Sequence, residues 1–190
     1  MSTSIEIDWI IKGILHYSMA PIETLEQDFR LDWSRFHGPR QPLAYSLRQD
    51  KSVPWKRFHA LPNSKRYAEN EAETAIILER AYALGDAVFG NEAECWQVEC
   101  RGFEACDDEP GENSWSFKVT KIRWRKGEHD KLLLAIADDA IGPTMWVCRE
   151  HGAILAPYDG GFDLFPDSFK KVSDLAAKFQ NWISPHPEGL

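Results

Sequence analysis

The pattern of apolar and polar positions is clearest in the last quarter of the chain, from Thr144 onward. Short apolar runs occupy residues 144–148, 153–158 and 162–165. The last two runs are separated by Asp159-Gly160-Gly161, and the Asp-Gly and Gly-Gly pairs allow the positive φ angles that a tight hairpin requires. We therefore predict antiparallel strands that are joined by a tight turn at these glycines.

A helical pattern follows the predicted hairpin. From residue 169 to residue 183, apolar positions recur at the three- and four-residue spacing of one helix face. We expect this terminal helix to pack on a sheet through five apolar side chains, which are Phe169, Val172, Leu175, Phe179 and Trp182.

Two capping boxes near the N-terminus predict two further helices. Thr3-x-x-Glu6 and Thr24-x-x-Gln27 each have the spacing of this helix-start motif. The apolar stripe after the first box is Ile7, Ile10, Ile11, Ile14 and Leu15, and the stripe after the second is Leu25, Phe29, Trp33 and Phe36. With Gly38-Pro39 ending the second helix, residues 1–38 are predicted to be an N-terminal helical part.

The middle of the chain is predicted to contain a strand, a link and a long helix. Residues 43–47 alternate as a strand does, and the proline-containing segment 49–64 is typical of an irregular link. A helix is expected from about Lys65 or Asn70 to Phe89, closed by Gly90. Its expected buried face is Ala75, Leu78, Ala81, Tyr82, Gly85, Val88 and Phe89.

Strand patterns return after this helix. Trp96, Val98 and Cys100 alternate with polar residues, and a slip of one position near Thr120 predicts a β-bulge. The uninterrupted apolar run 132–137 predicts a central strand that is covered on both faces.

The predicted fold is α+β, with an antiparallel sheet of about five or six strands. A long crossing helix, N-terminal helices and a C-terminal helix pack on this sheet. Residues 1–190 are predicted to form a single domain, with residues 42–185 as its α+β core.

Composition adds few constraints on function. Of the 190 residues, 43% are hydrophobic and 27% are charged, which is ordinary for a folded protein in solution. Charged residues interrupt the N-terminal apolar stripe, so we expect no export signal, a cytoplasmic location and reduced cysteines. The cysteines are interpreted as small buried residues, because Cys148 and His151 have ligand-like spacing but no second pair nearby.

Charge is concentrated between residues 92 and 112. This segment has eight carboxylates and one base, a formal charge of −7 in a chain of −8. Part of it is a polar connection with five acidic residues, which are Glu104, Asp107, Asp108, Glu109 and Glu112. Two interpretations stay open: a solvated loop, or a docking surface that steers a basic partner. Such a surface would repel DNA and RNA unless the basic strand 118–126 is exposed as one face.

Catalytic and cofactor motifs are missing from the sequence. It contains no HExxH, GxSxG, P-loop or GxGxxG, and its six histidines are scattered. We therefore expect no catalytic residues, no metal and no cofactor. Tyr158, Asp159 and Asp163 around the glycine pair are the alternative site, although Asp159 is also the residue type that forms such a turn by bonding its own backbone.

The hairpin carries a resemblance to a known kind of protein. The segment Ala153-x-x-Ala156-Pro-Tyr158-Asp-Gly-Gly-Phe-Asp163, followed by a helix that ends at Trp182-Ile183-Ser184, resembles the C-terminal part of an uncharacterised bacterial domain family. The resemblance extends over most of residues 40–185. Proteins of this kind occur beside polymorphic toxins as immunity proteins, so the resemblance implies a binding protein and transfers no catalytic residues.

Charge, missing motifs and resemblance together lead to one expectation and one alternative. The expectation is an immunity or antitoxin-like protein that occludes a cognate, basic toxin domain and binds neither nucleic acid nor membrane. Its expected contact residues are the five carboxylates of the acidic connection. The alternative is a small enzyme or ligand-binding protein with a site near the hairpin, at Tyr158–Asp163.

Overall fold

One antiparallel sheet organises the computed structural model, which describes residues 5–8, 24–105 and 113–183. Its strands are β1 (Ile5–Asp8), β2 (Lys56–His59), β3 (Glu94–Ala105), β4 (Asn113–Arg123), β5 (Thr144–Cys148), β6 (Ile154–Tyr158) and β7 (Gly161–Phe165). They lie in the order β1-β4-β3-β5-β6-β7-β2, and every neighbouring pair is antiparallel. The α+β class and the antiparallel sheet are confirmed, with seven strands in the sheet.

Helices cover both faces of the sheet. They are α1 (Leu25–His37), α2 (Ala44–Gln49), α3 (Glu71–Phe89), α4 (Asp130–Ala137) and α5 (Phe169–Lys178), with short 3-10 helices at Pro62–Ser64 and Gln180–Trp182. One hydrophobic core joins α3, α4 and α5 to one face of the sheet, which we call the closed face. A second core joins α1 and α2 to the other face, which we call the cleft face.

The predicted helix starts at Thr24 and Asn70 are confirmed by their caps. Thr24 Oγ1 accepts a hydrogen bond from Gln27 N at 3.3 Å, and Asn70 Oδ1 accepts one from Glu73 N at 3.0 Å. Each side chain thereby satisfies a backbone donor of the first helical turn. On α3 the expected buried face is confirmed at Ala81, Tyr82, Gly85, Val88 and Phe89. Ala75 is instead exposed, and Ile77 is buried.

The predicted hairpin is confirmed, and its two glycines are required for different reasons. Gly160 has a φ of 126°, a conformation that glycine adopts without steric cost. Gly161 needs space, because a Cβ atom there would lie 2.3 Å from Phe58 O and 2.6 Å from the Tyr158 hydroxyl. The turn therefore holds β6, β7 and β2 close together at one end of the sheet.

Three predictions for the first 64 residues are wrong. Residues 5–8, placed at the start of a helix by the sequence pattern, form β1, which pairs with Phe117 and Val119 of β4. The remainder of that predicted helix, with Thr3, lies outside the described residues. The predicted strand 43–47 is mostly helix α2, since Leu43 and Leu47 are one helical turn apart and both are buried. The predicted link 49–64 contains β2, an additional strand of the sheet.

Three later predictions also need correction. The apolar run 132–137, predicted as a central strand, forms helix α4. The register shift lies in β3 between Cys100 and Gly102, so the bulge predicted near Thr120 is wrong. The terminal helix ends at Lys178 and continues as a 3-10 turn, with Leu175 and Phe179 buried and Phe169 59% exposed.

Candidate functional site

A cleft of about 510 Å³ opens on the cleft face beside the Tyr158–Asp163 hairpin. Helix α2 forms one wall, and the segment 139–143 after α4 contributes another. Val98, Met145 and Ala156 contribute apolar surface from the central strands. The alternative site named from the sequence therefore borders a cavity of the size that small-molecule sites have.

A buried ion pair lies at the polar end of this cleft. Asp163 is only 3% exposed, and Arg57 of the neighbouring strand binds both of its carboxylate oxygens, at 2.8 and 3.0 Å. Burial alone would lower the pKa of Arg57, but the hydrogen bonds and the charge of Asp163 raise it. Arg57 and Asp163 face each other in the β2–β7 register, so the sheet itself aligns the two groups.

A second arginine reaches the same carboxylate from helix α2. Arg48 Nε lies 3.3 Å from Asp163 Oδ2, but without the geometry of a hydrogen bond. Among the residues described, this buried nitrogen has no hydrogen-bond acceptor. The Arg48 side chain as a whole stays 23% exposed. At this end of the cleft one carboxylate is therefore shared by two guanidinium groups, while Asp139 and Asp159 add two more carboxylates to the lining.

Tyr158 completes the polar end of the cleft. The Arg57 guanidinium carbon lies 4.4 Å from the centroid of the Tyr158 ring, within the range of a cation–π contact. Burial raises the pKa of Tyr158 to about 12, so the phenol stays protonated at neutral pH. Tyr158 can thus donate a hydrogen bond, but it is not a base at neutral pH.

Asp159 at the turn is engaged by residues outside the strands. Arg66 forms an ion pair with Asp159 Oδ2, and the Tyr67 hydroxyl donates to the same oxygen at 3.1 Å. Arg66 Nε also donates to the Asp159 carbonyl. These contacts tie the segment before α3 to the hairpin, so Asp159 does more than bond its own backbone.

The mouth of the cleft is partly apolar. Tyr45 on α2 is 65% exposed and Ile141 in the facing segment is 38% exposed, although both are large hydrophobic residues. Asp139 adds one carboxylate to the lining. The cleft therefore combines an apolar entrance with a buried arginine, Arg57, and a half-buried one, Arg48, an arrangement that can hold a partly apolar anion.

The acidic residues expected to bind a partner lie almost wholly outside the described part of the chain. Asp107, Asp108, Glu109 and Glu112 are among residues 106–112, and only the backbone of Glu104 is described, in β3. The two strands that flank them, β3 and β4, pair opposite charges with each other. Glu94 lies opposite Arg123, and Glu99 lies opposite Lys118, with ion-pair distances of 3.5 Å in both cases.

The basic residues of β4 and the segment after it have acidic neighbours. Lys121 pairs with Asp28 of α1, while Arg123 and Arg125 both contact Glu92. Together with Lys118, these four bases are therefore neutralised locally instead of forming one exposed positive face.

Among the described side chains, no group of three or more His, Cys, Asp or Glu is placed to hold a metal ion. Within those residues no helix has the length and apolar character to cross a membrane.

Sequence reasoning identified one side of the cleft and missed the other. Tyr158, Asp159 and Asp163 were identified from the hairpin motif, but Arg48 and Arg57 were not. Arg57 lies 106 positions from Asp163 in the sequence. An arginine between an aromatic residue and another basic residue gives no signal by itself, so only the strand pairing reveals its role.

Comparison with known proteins gives a family and no activity. No curated protein and no solved structure matches the chain. A family model described as a domain of unknown function, DUF3885, matches residues 43–101 and 96–187. These matches include α2, β2 and the hairpin, and thus both sides of the cleft. Because they cover well over half of the sequence, the chain belongs to the DUF3885 family of uncharacterised domains.

Proposed function

We propose that this protein is a binding protein whose cleft holds a small organic acid with an apolar body. The observation that carries the proposal is the shared carboxylate of Asp163. Arg57 already binds both of its oxygens, and Arg48 beside it lacks an acceptor for Nε among the described residues. An acid bound in the cleft would accept a charge-assisted hydrogen bond from Arg48, whose Nε has no acceptor among the described residues.

The apolar entrance limits the kind of acid. A ligand with its carboxylate near Arg48 would place its other end near Tyr45 and Ile141, which are both exposed hydrophobic residues. Asp139 in the lining would repel a second negative charge on the ligand. We therefore expect monocarboxylic acids with an aromatic or branched apolar group to bind more tightly than dicarboxylic acids or inorganic phosphate.

Calorimetric titration with a panel of such acids tests this function. Arg48→Met should weaken binding about tenfold or more, since a charge-assisted hydrogen bond contributes about 1.5–3 kcal/mol. Arg35→Met is the matched control, because it removes the same charge from an exposed position on α1. Equal binding by wild type and Arg48→Met, or no binding by any acid of the panel, would contradict the proposal.

We keep the toxin-neutralising role as a second candidate, since the charge distribution favours it. Four bases of β4 and the segment after it are paired with carboxylates of β3, α1 or nearby segments. These bases are Lys118, Lys121, Arg123 and Arg125. The sequence still places five carboxylates within residues 104–112. A concentrated negative segment beside neutralised strands is suited to a basic partner and unsuited to nucleic acid.

Association kinetics with a partner, found from gene context or by pull-down, test this second role. Neutralising Asp107, Asp108 and Glu109 should slow association and flatten its salt dependence, because rim charges act mainly on the on-rate. The matched control is Glu79→Gln, Asp138→Asn and Glu150→Gln, which removes three exposed carboxylates elsewhere. An unchanged on-rate in the first triple variant would exclude the acidic connection as the contact surface.

A further inference from the structure

A pair of cysteines on the closed face of the sheet, opposite the face with the cleft, meets a histidine. Cys95 of β3 and Cys148 of β5 lie directly opposite each other in the strand register. Both are buried, at 0% and 1% exposure, and both are reduced in the structure. His151 in the turn after β5 places Nε2 3.3 Å from Cys148 Sγ.

The backbone hydrogen bonds show that this cysteine pair has the spacing a disulfide needs. Arg149 N donates to Glu94 O, which makes Glu94 and Arg149 a hydrogen-bonded pair of the ladder. The next pair along, Cys95 and Cys148, is therefore a non-hydrogen-bonded pair. Such pairs have Cα atoms about 4.5 Å apart, which falls within the range of about 4.4–6.8 Å found in disulfides.

The groups around Cys148 favour its thiolate. Cys95 and the backbone N–H groups of Glu150 and His151 lie beside the Cys148 sulfur. Their proximity lowers the pKa of Cys148 to about 6, while the contact with Cys148 and then burial raise the pKa of Cys95. Ala153 N approaches His151 Nδ1 at 3.4 Å, which leaves the ring proton on Nε2, facing the sulfur.

A second cleft borders the cysteine pair, although Cys148 itself is only 1% exposed. Cys148 lines it together with Phe89 and Asn91 from the end of α3 and Arg149 from the turn. Its volume of about 550 Å³ is ample for a small oxidant. Cys100, the third cysteine whose side chain is described, is more exposed, but burial raises its pKa.

We propose that Cys148 is a peroxide-reactive thiol and that Cys95 resolves its oxidised form into a disulfide between β3 and β5. The Cys148 thiolate attacks hydrogen peroxide; an S–O bond forms, the O–O bond breaks, and the departing hydroxide takes up a proton to give water. The Cys95 sulfur then attacks the sulfenic sulfur and loses its proton. An S–S bond forms, the S–O bond breaks, and a second water leaves. Two thiols are oxidised by two electrons, and one peroxide is reduced to two waters.

Peptide mapping after peroxide treatment of the full chain tests this proposal. Wild type should yield a Cys95–Cys148 linked peptide that disappears on treatment with a thiol reductant. Cys100→Ser is the matched control and should form the linkage at the wild-type rate. Cys148→Ser should lose it completely, and Cys95→Ser should accumulate a sulfenic acid on Cys148 that a 1,3-dione reagent captures.

Measurements on the wild-type protein keep the proposal falsifiable even if a serine variant fails to fold. Peroxide should consume Cys148 before Cys100, although Cys100 is the more exposed residue. Oxidation of Cys100 first, a linkage that involves other cysteines, or no linkage at all would each overturn the proposal.

Discussion

The closed face and the cleft face of the sheet are both built on buried tryptophans, yet they differ in what else they bury. On the closed face, Trp124 lies between α3 and the sheet, and its ring contacts Phe89 and Trp146 edge to face. Gly85 of α3 has no room for a side chain there, because a Cβ atom would lie 2.2 Å from the Trp124 ring. Around Trp124 this face has no free space.

The cleft face leaves part of its surface uncovered. Helix α2 has only six residues, and beyond it the sheet carries Arg57 and Asp163 instead of apolar side chains. A buried ion pair contributes little net stability compared with apolar residues of similar size. The contrast indicates that the closed face supplies most of the stability, while the cleft face gives up some of it for a polar site.

The largest expected effect is on the closed face. Trp124→Ala should lower the free energy of unfolding by about 3–5 kcal/mol, because it leaves a large cavity in a region without space to relax. The Trp124 indole also donates to Asp86 at 2.9 Å, and this bond would be lost. Denaturant titration measures the change.

Trp182 is the matched comparison at the edge of the same face. Its ring is half-buried and stacks at 4.6 Å on Phe179, so the loss of about 3–5 kcal/mol that a fully buried ring would give does not apply to Trp182→Ala. We expect a loss of about 1–2 kcal/mol instead, in proportion to the smaller area that is removed from water. Equal losses for the two tryptophans would remove the distinction between the filled centre and the edge.

The second effect concerns the ion pair on the cleft face. Asp163→Ala should cost about 3 kcal/mol, since it leaves the Arg57 guanidinium buried without its carboxylate. This value is at the low end of the usual range because the Arg48 side chain, 23% exposed, can turn toward water. Thermal and denaturant unfolding of the variant measure the loss.

Asp159→Ala provides the control on the same hairpin. Its partner Arg66 is 61% exposed, so the loss should stay below about 1 kcal/mol. A cost for Asp159→Ala that matches the cost for Asp163→Ala would show that the hairpin, and not the buried charge, accounts for the instability.

The third effect is a dependence of the unfolding free energy on pH, which arises mainly from His37 of α1. Burial lowers the pKa of His37 from 6.5 to about 4, and its Nε2 donates to Gly152 O at 2.8 Å. Between these two pH values the unfolded chain binds the proton and the folded chain does not. The contribution of His37 to the free energy of unfolding is therefore fully present above pH 6.5. It falls by about 2–3 kcal/mol as the pH drops toward 4.

His37→Gln should remove most of this acid-dependent loss, because a glutamine amide can donate to the same carbonyl without titrating. On the closed face, burial also lowers the pKa of His129, which stacks on Trp124, and this residue accounts for a smaller share. Unfolding free energies measured at several pH values test the assignment. An unchanged pH profile in His37→Gln would place the titrating group elsewhere.

Local sequence patterns predicted the elements that are determined by their own residues. The α3 helix has a cap, a long apolar stripe and a closing glycine, and the β6–β7 hairpin has its glycine pair. The errors occur where a short pattern fits two structures. Five residues around Leu43 and Leu47 fit an alternating strand or one helical turn, and the apolar run 132–137 fits a buried strand or a helix.

Local sequence patterns predict even less of the candidate site than of the fold. The hairpin motif predicts Tyr158, Asp159 and Asp163, because turn and motif residues lie next to each other in the sequence. Arg48 and Arg57 become part of the site only when β2 pairs with β7 and α2 packs above the sheet. Nothing in the local pattern of β2 marks it as a strand, since its burial depends on a partner strand that is distant in the chain.

The strand order has a consequence for how the chain folds during synthesis. β1 and β2, from the first 60 residues, occupy the first and last places of the sheet in the part of the chain that is described. β1 pairs with β4 and β2 with β7, so both must wait for strands that the ribosome makes much later.

Strands β3 to β7 can pair with one another as they emerge, in the order β4-β3-β5-β6-β7, while the early segments stay unpaired in the nascent chain. Until β2 arrives, β7 presents open backbone groups that another chain could pair with. We expect a fragment that begins after β2 to aggregate. In the full chain we expect the early segments to join the sheet last, when β2 covers the open backbone groups of β7.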